Sequence, residues 1–183
     1  TRFVTVVPVN DVPVLADVEA TALAITENDA ATAVSSSITV SDLDSLTHSV
    51  LDSATVTISS GLREGDVLAY SAGSAAVLYG SYGSFGNYAA SAADVTASFN
   101  ATSGALLLTG AVSVSAWEAV LRAVTFSSSS EDPTGTQSAS DRTVSFVISD
   151  GDASSSAVAR VVTVVPVNDV PVLADVESDS LEY

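Results

Sequence analysis

The sequence has no cysteine and no methionine, and all five of its basic residues are arginine. One histidine and one tryptophan occur in 183 residues. Without cysteine there is neither a disulfide framework nor a thiolate ligand, so zinc would depend on His48 alone. A serine triad rests on the same histidine. Its neighbours Thr47, Ser49 and Asp52 are merely local in sequence, and no Gly-x-Ser-x-Gly turn presents a nucleophile. The five bases stand against 22 acids, a net charge of −17. That balance argues against nucleic acid and anionic membranes as partners, since both require a basic surface, but suits cations. Cysteine is dispensable in a cytosolic protein, and equally in an extracellular module that uses metal in place of disulfides. No stretch reads as a signal peptide or membrane span, and an excerpt of a longer chain would show neither. Disorder, the other common meaning of high negative charge, is opposed by 47% hydrophobic content and clear strand alternation. The length suffices for one domain with a sizeable core.

The sequence does contain a duplication. Val-Thr-Val-Val-Pro-Val-Asn-Asp-Val-Pro-Val-Leu-Ala-Asp-Val-Glu runs from Val4 to Glu19 and again from Val162 to Glu177, 158 residues on and identical throughout. Such identity marks one period of a tandem array. The expected division is therefore residues 1–12 as the end of one repeat and its linker, 13–170 as one full repeat, and 171–183 as the start of another. The β-branched residues Val4 to Val7 and Val161 to Val165 predict strands. Pro8 and Pro13 bracket Asn10-Asp11, as Pro166 and Pro171 bracket Asn168-Asp169. Each proline fixes φ and removes a donor, so the motif reads as a stiff hand-over between strands with a polar elbow. The Asn-Asp pair is either an Asx turn or a set of oxygen ligands.

Between the copies the pattern is of short strands. Leu23 and Ile25 predict one that closes at Glu27-Asn28. Val34 to Val40 predicts another that ends at Ser41-Asp42-Leu43-Asp44. Ala54 to Ser59, Val67 to Tyr70, the hairpin Val95–Phe99 with Ala105–Thr109, the alternation Val144, Phe146, Ile148, and Val158 to Val165 supply the rest. The stretch Val67 to Ala93 carries no charge and repeats aromatic-glycine units around Tyr79, Tyr82 and Phe85. It predicts a long inserted loop or hairpin, either a sticky surface or an insertion folded back on the sheet. Asn100-Ala101-Thr102 fits a glycosylation acceptor but reads more simply as the hairpin turn. Trp117, Val120, Leu121 and Val124 fall at helical spacing over Ser115 to Val124, with Ser115 and Glu118 spaced as a capping box. Together these predict an all-β antiparallel sandwich with one short helix at its end.

Nearly all acids and side-chain amides fall at strand ends or turns: Asn10, Asp11, Glu27, Asp42, Asp44, Asp150, Asp152, Asn168 and Asp169. If Asp42 and Asp44 lie on one strand, they share a face about 6.6 Å apart. Such a pair repels by roughly 2–3 kcal/mol at an effective dielectric near 20, and a hard dication reverses that sign. Calcium tolerates irregular oxygen geometry better than magnesium does.

These pieces resemble cadherin-like tandem repeats, most closely the chondroitin-sulphate-proteoglycan type of large surface adhesion proteins. The matching residues are Pro-Val-Asn-Asp-Val-Pro-Val-Leu at both ends, Val-Ser-Asp-Leu-Asp (40–44), Ala-Thr-Val-Thr-Ile (54–58), residues 99–110, Trp-Glu-Ala-Val-Leu-Arg-Ala-Val-Thr-Phe (117–126) and Arg-Thr-Val-Ser-Phe-Val-Ile-Ser-Asp-Gly (142–151). The resemblance implies that Asn10, Asp11, Asp42 and Asp44 share Ca2+ at one junction. It implies that Glu27, Asn168 and Asp169 do so at the other, and that Asp150-Gly151 is the family's Asp-Gly before the last strand. It implies an extracellular structural or adhesive module without enzymatic activity. Its partners would be neighbouring repeats, and surfaces, matrix or glycans. The chain lacks the Asp-Arg-Glu triplet of the late middle strand and two linker ligands. The resemblance thus implies fewer ions per junction than cadherins carry, one or none. A metal-free spacer and a carbohydrate-binding sandwich are the alternatives; the second has paired carboxylates and aromatics but no cleft in its favour.

Overall fold

The computed structural model describes residues 2–7, 9–46, 50–71, 92–131 and 141–168. Eleven strands and one α-helix occur among them, besides two short 3-10 turns: β1 (Val14–Ala16), β2 (Leu23–Thr26), β3 (Thr32–Ala33), β4 (Thr39–Ser41), β5 (Val50–Ser60), β6 (Asp66–Tyr70), β7 (Thr96–Asn100), β8 (Ala105–Ser113), α1 (Val114–Arg122), β9 (Val124–Ser128), β10 (Asp141–Ser149) and β11 (Val158–Val165). They form a six-stranded sheet in the order β2-β11-β10-β5-β8-β7, a three-stranded sheet β3-β9-β6, and the pair β1-β4. All pairings are antiparallel except β2 with β11. The fold is the all-β sandwich expected from the alternation, with one parallel pair that alternation cannot reveal.

Period-two burial carries the packing. Ala54, Val56 and Ile58 of β5, Leu106 and Leu108 of β8, Val144, Phe146 and Ile148 of β10, and Val162 and Val164 of β11 point inward. They meet Leu68, Val124 and Phe126 of the smaller sheet in one core. Helix α1 carries the chain from β8 in the large sheet to β9 in the small one. Its buried residues are Trp117, Val120 and Leu121. The Trp117 indole N–H donates to Leu51 O at 2.9 Å, so the ring is buried with its polar atom satisfied. Beneath the far end of β10 lies a buried ion pair. Arg142 Nε donates to Asp66 Oδ2 at 2.9 Å, and both side chains are fully buried.

Three local expectations change, and a fourth falls largely outside the described residues. Val4 to Val7 lies outside any sheet, because none of the described strands offers it a ladder. The run Val34 to Val40 is not one strand. It breaks at Ser35-Ser36-Ser37, where Glu19 accepts from Ser35 Oγ (2.6 Å), Ser36 N (2.9 Å) and Ser36 Oγ (2.9 Å), while the Ser37 hydroxyl donates to Asp17 O. Serine side chains that bond local backbone and acids compete with a ladder. The helix begins one residue before Ser115. Ser113 is its N-cap and accepts from Ala116 N at 3.2 Å, while Glu118 faces Val40 N and Arg122 instead of closing a box. The aromatic-glycine stretch and His48 lie outside the described residues, save for β6 and Ser71 at its start and residues 92–93 at its end.

Candidate functional site

The register of β10 and β11 fixes two opposite ends. Phe146 pairs with Val158 and Asp141 with Thr163, so β11 leaves the Asp150 end and finishes at the Asp141 end. The first copy of the linker meets the Asp150 end, and the second leaves from the other.

At the Asp150 end the structure brings together Asn10, Asp11, Asp42, Asp44, Asp150 and Asp152. Asn10 Nδ2 donates to Asp150 Oδ2 at 3.0 Å, and Asp11 N donates to Asp44 Oδ2 at 2.6 Å. Asp42 and Asp44 do not share a strand face. Asp44 sits in a short 3-10 helix over Leu43–Leu46, and its N–H donates to Asp42 Oδ1 at 2.8 Å. Asp150 Oδ1 accepts from Asp152 N (2.8 Å) and Ala153 N (2.7 Å), folding a turn around Gly151 at φ +99°. Burial would raise the Asp150 pKa, but the amide hydrogens of Ala153 and Asp152 and the Asn10 side chain outweigh it and hold it below the usual range. Asp52 also belongs to this end, because a Cβ on Gly151 would stand 3.8 Å from its Cβ. Spacing could not show this; only the pairing of Ser53 with Ser149 does.

At the other end Glu27 is buried, 3% exposed. Its Oε1 accepts from Val167 N at 2.6 Å, and its own N–H donates to Val165 O at 3.1 Å. Glu27 Oε2 is buried without a hydrogen-bond partner. Asn168 is exposed beside this contact, and Asp169 lies outside the described residues. Asn28 extends the polar surface, donating from Nδ2 to Glu131 Oε1 at 3.2 Å.

The donors at both ends are oxygen atoms, the ligand class of a hard cation. Among the described residues, no three His, Cys, Asp or Glu side chains converge closely enough to hold a metal ion. The two acid sets stand at opposite ends of the body. A buried carboxylate oxygen without a hydrogen-bond partner, as at Glu27 Oε2, is costly. No described helix is long and apolar enough to cross a membrane. The chain matches no protein-family profile, no curated protein and no solved structure.

Proposed function

We propose that this chain is a tandem-repeat module of an extracellular structural or adhesive protein, with Ca2+ stiffening the junctions between repeats. One observation carries the reading. The two copies of an identical linker touch acids at opposite ends of one body: Asn10 and Asp11 touch Asp150 and Asp44, and Val167 touches Glu27. Val9 is the counterpart of Val167, and Asn10 that of Asn168. In an array, one three-residue stretch would therefore meet Glu27 of the body before it and Asp44 and Asp150 of the body after it. Glu27, Asn10, Asp42, Asp44 and Asp150 would then supply oxygen ligands from both sides of the seam. Calcium would supply positive charge that offsets the mutual repulsion of these carboxylates.

The test is thermal unfolding of a two-repeat chain, with residues 13–158 placed directly before Thr1. Extracellular modules bind calcium at about 10⁻⁴–10⁻³ M, and at 100-fold excess one ion adds about 2.7 kcal/mol. The midpoint should rise by about 5–10 °C with calcium relative to chelator. The 183-residue chain, holding half of each shell, should gain less. Equal midpoints for the two-repeat chain would remove the metal. A second reading would then stand on the same contacts: a metal-free spacer whose linker is fastened by the hydrogen bonds of Asp44, Asp150 and Glu27.

A further inference from the structure

Residues 2–7 carry a strand's sequence and no sheet. Phe3, Val4, Val6 and Val7 are all exposed, Val4 at 83% and Val6 at 85%. Their counterparts 158 residues on are in β11, where Val162 and Val164 are fully buried. The outward residues of β11, Val161 and Val165, remain 38% and 43% exposed, matching Phe3 and Val7. The polar residues correspond as well. Arg160 donates from Nη1 to Val34 O (2.7 Å) and from Nε to Thr21 O (3.1 Å), and stands 3.5 Å from Glu19; Arg2 is its counterpart. Thr163 donates to Asp141 Oδ1 at 2.6 Å, and Thr5 is its counterpart.

We propose that residues 2–7 dock into the sheet of another copy of this repeat, between its β2 and its β10, as that copy's last strand. The slot offers a parallel ladder on the β2 side and an antiparallel ladder on the β10 side, as it does to β11. Val4 and Val6 enter the core, and Phe3 and Val7 face out. Arg2 reaches the Thr21 and Val34 carbonyls and Glu19, and Val9 N reaches Glu27. Exposed apolar strands are otherwise a liability for aggregation, and a designated slot removes it. This inference rests on the repeat reading above but not on its calcium.

The experiment uses the 183-residue chain and the two-repeat chain described above, both in chelator, so that failure of the metal reading leaves it intact. Amide exchange at residues 2–7 should be at least about a hundredfold slower in the two-repeat chain, since protection follows the opening of the unit a strand belongs to. Equal exchange in both chains would overturn the proposal. Val4→Asp should lower the midpoint of the added body alone and leave the 183-residue chain unchanged. Val7→Asp, on the outward side, should do far less. Equal effects of the two substitutions, or a loss of stability in the 183-residue chain on Val4→Asp, would also overturn it. So would a dimer of the 183-residue chain that Val4→Asp dissociates, because the strand would then prefer a free sheet edge to the slot.

Discussion

Arg142 and Asp66 are the most demanding charges in the body, and removing one should cost far more than removing both. Each side chain is fully buried, and the carboxylate accepts from Arg142 Nε at 2.9 Å, Arg142 Nη2 at 3.3 Å and Arg63 N at 2.9 Å. Arg142→Met leaves a buried carboxylate with the Arg63 amide as its remaining described donor. Breaking such a pair costs about 3–5 kcal/mol. At about 2–4 °C per kcal/mol for a chain of this size, the midpoint should fall by roughly 6–20 °C. Asp66→Leu combined with Arg142→Met removes both charges and leaves the Arg63 N–H short of an acceptor, a cost of about 1–3 kcal/mol. The double variant should thus be more stable than Arg142→Met. Urea unfolding followed by the fluorescence of Trp117, fully buried and the single tryptophan, measures the parent chain and both variants. A loss below about 1 kcal/mol for Arg142→Met, or a double variant less stable than that single one, would refute the account.

Acid should weaken the break between β3 and β4. Burial raises the Glu19 pKa, but hydrogen bonds from Ser35 and Ser36 outweigh it and hold the pKa at about 2, against an ordinary 4.5. Because the folded value is depressed, the stabilisation is complete above pH 4.5 and is lost as pH falls toward 2. With water reaching part of the carboxylate, it is worth about 1–2 kcal/mol, and Glu19→Gln should flatten the stability–pH curve over that window. Trp117→Ala should cost about 3–5 kcal/mol by equilibrium unfolding, because it opens a cavity at α1 and frees the Leu51 carbonyl. Ser113→Ala should cost about 1 kcal/mol through loss of the N-cap, whereas Ser115→Ala should cost less. Gly61→Ala should be severely destabilising, since φ is +76° and the new Cβ would fall 2.2 Å from Asp141 O.

Periodicity made the sandwich legible because burial in a sheet follows side-chain alternation: Val144, Phe146 and Ile148 are inward in the structure as in the pattern. Helical spacing located Trp117, Val120 and Leu121 but also took in Val124, which opens β9, and the cap shifted from Ser115 to Ser113, since two serines there compete for one role. The same competition hid the break after Ala33, where Glu19 gathers Ser35 and Ser36 from across a loop. Of the site, the sequence showed which acids lie near turns but not how they are arranged. Asp42 and Asp44 look like one strand face at a spacing of two, and an Asx-type bond turns them into a 3-10 corner instead. Asp52 figures in the sequence only as a neighbour of His48, and joins this end once β5 and β10 align. The parallel contact of β2 with β11 joins Leu23–Thr26 to Val162–Val165, nearly the whole repeat apart in sequence, and leaves no local signal.

That contact has a mechanical consequence. The chain enters at the Asp150 end and departs at the Asp141 end along β11, so tension on a tandem string of the kind proposed would run along that strand's own axis. The ladders to β2 and β10 lie across the pull, and the load is shared among their bonds rather than unzipping them singly. A body stretched from its two termini should therefore yield at markedly higher force than one pulled from Val165 and the tip of the β7–β8 hairpin, which a single-molecule stretching comparison would read directly.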